Sequence, residues 1–293
     1  MANMRDIRLR MKSIQQTLKI TSAMKLISTA KLSRARIQLS QTEPYFDRIR
    51  EAIANIFLHT ESVRESQLGP RVRADGIPRR AFLVMTSDKG LAGGFNHNVI
   101  ALAESAMTRP ETDYLLLLGA IGSRYFIRKN TTILENFRFT SGIPTVYEAK
   151  EITEFIMSQF DSEVIDEFYI VYTRMYSSVK LEPELIKILP LVEADFEGSG
   201  GKEAVTDSSL VCLPSTDAVL ETLIPKYLSG VIYGAMVESF ASEHSARMTA
   251  MDSATKNAQE MLEGLQLKYN RLRQGAITQE VTEIVAGAAA LNI

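Results

Sequence analysis

The chain has 293 residues, of which 45% are hydrophobic and 23% charged, and its formal net charge is −2. That is ordinary globular usage, sufficient for one or two domains with an ample core, and it gives no global case for nucleic-acid binding. The single cysteine, Cys212, excludes an intrachain disulfide and suits a reducing compartment. No run approaches the roughly eighteen apolar residues of a membrane span, and the basic opening lacks the apolar core of a secretory signal. Membrane association is therefore expected only through partners.

The charge is unevenly placed. Between Met1 and Arg36, nine Lys or Arg residues stand against one acid, Asp6. A basic amphipathic helix can serve a membrane surface, an acidic protein partner or nucleic acid, or can be a solvated face. Residues 3–58 carry the helical pattern. Asn3 is placed to cap it, and Asp6 suits the positive end of the helix dipole. A four–three seam runs Ile7, Met11, Ile14, Leu18, Thr21, Lys25, Ser28, Leu32, Ala35, Leu39. Pro44 is expected to bend or divide this helix, because it lacks a donor and clashes with the preceding turn.

Residues 61–78 are polar, with glycines and prolines, and read as a linker. The period then changes. Short apolar strands are predicted at 81–86, 114–118 and 167–173, with a further strand at 185–189, an edge strand within 131–139 and a last one at 210–213. Helices are predicted at 98–107, 123–129 and 147–160, and a surface loop at 197–201. Strands alternating with helices indicate an open, Rossmann-like α/β sheet covered on both faces.

After Thr216 or Asp217 as cap, and an expected kink at Pro225, a helix of roughly sixty residues fills 227–288. Its seam runs Val237, Ala241, His244, Met248, Met251, Thr255, Ala258, Leu262, Leu265, Tyr269, Leu272, Ala276. A repeat averaging 3.5 residues marks a left-handed coiled coil. The N-terminal helix is the available partner, and the pair is antiparallel if both chain ends meet at the foot of the middle domain. The domain reading is thus 1–60 and 216–293 as one coiled-coil unit, with 61–215 as the α/β domain.

Sites of chemistry are hard to find. The glycine-rich segment from Ser87 to Asn96 suggests a phosphate loop, but it lacks the Gly-Lys-Ser/Thr ending and the dinucleotide spacing, and a structural turn is the better reading. His59, His97 and His244 are far apart and without metal-ligand company. Cys212 has no nucleophile signature around it. No catalytic, cofactor or metal site is expected, which argues for a mechanical or scaffolding role. Near the C-terminus, Arg271, Arg273, Gln274, Thr278, Gln279, Glu280 and Glu283 form a polar patch, followed by a nearly uncharged tail, 284–291. Such a tail is an aggregation hazard unless other subunits surround it.

Four stretches carry a family resemblance. They are Met4-Arg-Asp-Ile-Arg8 with Ile20-Thr-Ser-Ala-Met-Lys25, Ser87-Asp-Lys-Gly-Leu-Ala-Gly-Gly-Phe-Asn96, Glu238 to Met251, and Tyr269 to Ala290. In this order, over the whole chain, they resemble the gamma subunit of F-type ATP synthases. The short middle domain, without an inserted cysteine pair, looks bacterial. The resemblance implies a rotor shaft without a catalytic site or cofactor of its own. It would thread three alpha and three beta subunits, contact the epsilon subunit and the c-ring, and lie peripherally on the cytoplasmic face of the inner membrane. Proton or sodium flow would turn the shaft and drive the beta sites through their conformations. Carried over by position, Met24 and Lys25 would face the acidic lever loop of beta, and Arg273, Gln274, Thr278 and Glu280 would bind its catch loop. Ala92 stands where the family often has Cys, Gly275 where Ala is common, and Leu213 where an acidic residue precedes the proline. The alternative of another class is a basic coiled-coil protein that binds nucleic acid or an anionic membrane.

Overall fold

A computed structural model of the chain describes residues 4–59, 69, 71, 73–129, 131–139, 143–191, 213 and 215–291. In chain order the elements are α1 (Met4–His59), β1 (Arg80–Met85), α2 (Phe95–Ala106), β2 (Asp113–Leu118), α3 (Ala120–Ile127), β3 (Ile133–Phe137), α4 (Val146–Asp161), β4 (Glu167–Met175), β5 (Leu181–Leu189) and α5 (Thr216–Leu291). They form two compact units: Met1–Ser28 with Met248–Ile293, and Thr29–Arg247.

The larger unit, Thr29–Arg247, is built on one five-stranded sheet of order β3-β2-β1-β4-β5. The first four strands are parallel, and β5 is antiparallel to β4. The direction of β5 follows from its connection. Tyr176 N donates to Lys180 O at 3.1 Å, closing a tight turn that only an antiparallel pair permits. The parallel strands are apolar on both faces because both are covered. Phe82, Val84, Leu115, Leu117 and Val171 pack against Val99, Ile100 and Ala103 of α2 and Phe126 of α3. On the other face, Leu83, Met85, Leu116 and Ile170 join Ile152, Ile156 and Phe160 of α4. Leu32, Ala35, Ile49 and Ile53 of α1 and Leu228, Ile232 and Val237 of α5 complete this core.

Local chemistry fixes the joints. Arg80 forks onto Asp113 with two contacts of 2.7 Å, tying the starts of β1 and β2 together. Helix α4 opens on a capping box, in which Thr145 Oγ1 accepts from Glu148 N at 3.2 Å and Thr145 N donates to the Glu148 carboxylate at 2.8 Å. Gly119 takes φ +98° between β2 and α3, and a Cβ there would lie 2.0 Å from Thr86 O, so only glycine fits.

The smaller unit is an antiparallel helix pair. Arg8 Nη2 donates to Tyr269 Oη at 2.5 Å, Thr255 Oγ1 to Thr21 Oγ1 at 2.8 Å, and Lys25 Nζ to Asp252 Oδ1 at 2.5 Å. Residue numbers rise along α1 as they fall along α5. Ile7, Thr21 and Ser28 are buried from one side, Met251 and Ala258 from the other, as the four–three spacing requires.

Some expectations need correction. Pro44 does not divide α1, and α5 continues through Pro225. Ser40 and Glu221, whose carbonyls lose a donor, are exposed to water, and buried residues on both sides of each proline pack into the same core. The residue that caps α5 is Ser215, whose Oγ accepts from Ala218 N at 3.2 Å. The seam of α5 ends earlier than its spacing suggests, since Leu272 is 42% exposed. The cap at Asn3, the loop at 197–201, Cys212 and most of the strand at 210–213 lie outside the described residues; Leu213 itself sits in an exposed bend.

Candidate partner-binding site

On the helix pair, Met24 and Lys25 are both partly buried beside the seam. Lys25 does not stand alone. Its Nζ is 2.5 Å from Asp252 Oδ1, and Lys256 Nζ is 2.9 Å from Asp252 Oδ2. The two ammonium groups, Lys25 first, hold the Asp252 carboxyl down to about 2.

Arg273, Gln274, Thr278 and Glu280 occupy a different place. Arg273 lies 21 positions beyond Asp252 along α5, roughly 30 Å of helix. All four are exposed. Helix α1 begins at Met4, level with about this point, so beyond it α5 has no facing turn among the described residues. Ile277, Val281, Ile284 and Val285 are exposed on the same stretch, while Thr282 Oγ1 to Thr278 O (2.8 Å) and Gln279 Nε2 to Glu283 Oε1 (2.9 Å) are contacts within the helix. The two predicted contact sets are thus separate surfaces: a half-buried cation on a helix pair, and a bare amphipathic helix with a polar patch at its root.

The Ser87–Asn96 segment is a structural turn. Ser87 N donates to Asn96 Oδ1 at 2.8 Å, and Ser87 Oγ to Lys89 O at 2.8 Å. Ala120 N, at the start of α3, donates to Asp88 Oδ1 at 3.0 Å. Asp88 thus ties the glycine-rich turn to the N-terminus of α3.

A buried cluster that the sequence did not flag fastens this turn. The Arg247 guanidinium donates to Lys89 O (2.9 Å) and Gly90 O (3.3 and 3.4 Å), lies 2.6 Å from Glu243 Oε1, and has Nη1 3.2 Å from His244 Nδ1. Burial, then Arg247 and Lys31, push the His244 imidazole down to about 3, so it is neutral at pH 7. Burial raises the Glu243 carboxyl, against the pull of Arg247. His97 is exposed. Among the described residues no group of three or more His, Cys, Asp or Glu is arranged to hold a metal ion.

The chain matches the family model described as ATP synthase over residues 3–291. An ATP synthase gamma chain of Ruminiclostridium cellulolyticum is 47% identical over 292 residues, covering 99% of both chains. The chain belongs to the ATP synthase gamma-chain family. A second relative, the sodium ion specific ATP synthase gamma chain of Acetobacterium woodii, is 38% identical over 303 residues and 99% of both chains. Among solved structures, the rotor of the Euglena gracilis mitochondrial ATP synthase has a TM-score of 0.62 over 94% of this chain and 98% of its own, at 14% identity. The central stalk and c-ring assembly of Tetrahymena thermophila gives 0.63 over 80% and 99%, at 18% identity. At such identities these two report the fold.

A gamma chain is a subunit of ATP synthase, and this family member combines a mixed five-stranded sheet with long terminal helices. Among the described residues no helix is long and apolar enough to cross a membrane. Asp252 and Arg247 were not foreseen. The signal for Asp252 was available: once Thr21 is placed against Thr255, an antiparallel register sets the next turn of α1, with Lys25, against Met251 and Asp252.

Proposed function

We propose that this chain is the central rotor shaft of a bacterial F-type ATP synthase, coupling c-ring rotation to the conformational cycle of the beta catalytic sites. The exposed amphipathic extension of α5 beyond the helix pair carries the reading. Ile277, Val281, Ile284 and Val285 stand in water on one helix, and an apolar stripe of that size calls for surrounding protein. A sleeve of three alpha and three beta subunits supplies it. Contacts with epsilon and the c-ring belong to the α/β unit, and the assembly lies on the cytoplasmic face of the inner membrane.

The mechanism is one of differential contact. A shaft without threefold symmetry touches each beta subunit differently, so each orientation favours a different beta conformation, and rotation shifts the populations in turn. Met24 and Lys25 meet the acidic lever loop of beta. Arg273, Gln274, Thr278 and Glu280 hydrogen-bond its catch loop. The coupling ion is a proton or sodium. The chain itself contributes no catalytic group; hydrolysis and synthesis belong to the complex.

Co-expression with the alpha and beta subunits of the same source tests this. The expected result is one copy of the chain in a hexameric complex whose multisite ATPase depends on it. A chain that fails to co-elute, or one that hydrolyses ATP when pure and alone, overturns the reading.

A further inference from the structure

Two lysines share one carboxylate on the helix pair, and they use different oxygens. Lys25, from α1, binds Asp252 Oδ1, while Lys256, one turn further along α5, binds Oδ2. The side chains of Lys25, Asp252 and Lys256 are 43%, 34% and 73% exposed, so all three are within reach of a neighbouring molecule. The hydroxyls of Thr21 and Thr255, on the turn beside them, lie 2.8 Å apart, and Thr255 Oγ1 is also 2.7 Å from Met251 O, so its one proton is shared between these two acceptors. They already have partners.

We propose that Asp252 is a resident counter-ion that a carboxylate of a neighbouring beta subunit displaces from Lys25, while Lys256 keeps Asp252 paired. The inference rests on the reading that Lys25 faces an acidic segment of beta.

The physical case is one of exchange. An exposed ion pair is worth only about 0.2–1 kcal/mol, so an incoming carboxylate of good geometry can compete for Lys25. The lysine stem rotates freely enough to turn its ammonium outward. Without Lys256, that step would leave Asp252 unpaired beside a second carboxylate, and like charges would repel. With Lys256 on Oδ2, only Oδ1 is released. The site as a whole carries one net positive charge, from two lysines and one aspartate, which attracts an acid but does not trap it. A shaft contact made and broken at every turn needs that weakness.

The test uses the full chain reconstituted with purified alpha–beta hexamer, with dissociation rates read at stepped NaCl. Asp252→Asn removes the carboxylate that competes for Lys25 and should slow dissociation at low salt. Lys256→Gln leaves Lys25 as the only partner of Asp252 and should speed it. Each effect should reach up to about fivefold, the size of an exposed ion pair, and fade at high salt. In a Lys25→Gln background, Asp252→Asn should change nothing. An effect that persists there overturns the exchange and leaves only the summed charge of the shaft. Variants indistinguishable from wild type, with lowered melting temperatures, make Asp252 a tie between helices and overturn the inference alone. Wild-type chain that does not bind the hexamer overturns the inference together with the rotor reading.

Discussion

Arg247 Nη2 donates to the carbonyl of Lys89 at 2.9 Å, joining α5 to the glycine-rich turn after β1. The same guanidinium is 2.6 Å from Glu243, whose side chain is only 15% exposed. Arg247→Met should therefore do two things. It leaves a buried carboxylate without its cation, an expected loss of about 3–5 kcal/mol in urea unfolding. It also frees the turn, so the amides from Leu91 to Gly94 should exchange faster by mass spectrometry. Loss of stability without faster exchange at the turn would show that the turn holds itself.

His244 makes acid stability testable. Its folded-state value, pushed down to about 3, lies below the ordinary 6.5, so the unfolded chain takes up a proton first. Its contribution to stability is fully present above about pH 6.5 and is lost as the pH falls towards 3, with a slope of up to about 1.4 kcal/mol per pH unit. Glu243, raised by burial, works in the opposite sense: its contribution is present at low pH and lost as the pH rises through its folded value. His244→Gln should flatten the acid limb of the stability–pH curve; an unchanged slope would remove the imidazole from the account.

Gly230 lies against Phe46 inside the larger unit. A Cβ there would be 2.2 Å from Phe46 Cδ1, and the ring is itself lodged between Tyr45 and Tyr233, with centroids 5.2 and 6.0 Å away. Gly230→Ala should destabilise by about 1–3 kcal/mol through overpacking, despite alanine's better helix propensity. Phe46→Leu in the same chain should recover part of it.

Gly275 gives the reverse result. Nothing lies within 4 Å of a Cβ at this helical position, so Gly275→Ala should favour the helix by about 1 kcal/mol. Slower amide exchange from Arg273 to Gln279 is the expected readout, and unchanged exchange would mean that propensity does not govern this stretch.

Lys25→Glu sets a carboxylate where an ammonium now meets Asp252. It should slow ATP-driven ion pumping in the reconstituted complex more than it reduces assembly. Pumping at the wild-type rate would count against any role for this charge in coupling.

Much of this was legible beforehand. The periodicity of Ile7 to Leu39 and of Val237 to Met251 gave the buried seams, and the runs AFLVM and YLLLL gave strands buried on both faces. Of the residues singled out as contacts, Lys25 is partly exposed, and Arg273, Gln274, Thr278 and Glu280 are exposed. At the prolines the chain stays helical where a division at Pro44 was one expectation. Pro44 and Pro225 are strong helix breakers locally, yet the residues whose carbonyls lose a donor, Ser40 and Glu221, are exposed, while Leu39 and Phe46, or Ile224 and Leu228, pack into one core on both sides of the proline.

The sequence by itself determined element types, the heptad faces and the family, because these depend on short-range periodicity and on motifs read along the chain. Only the tertiary structure decided that β5 runs antiparallel at the sheet edge, that Arg247 clamps Lys89 and Gly90, and that Lys25 and Lys256 share Asp252. These relationships join residues far apart in sequence. Lys25 and Asp252 are separated by 227 positions, and a charge has no directional signature in a sequence that names its partner. Their pairing exists only once burial of the two seams has fixed the antiparallel register.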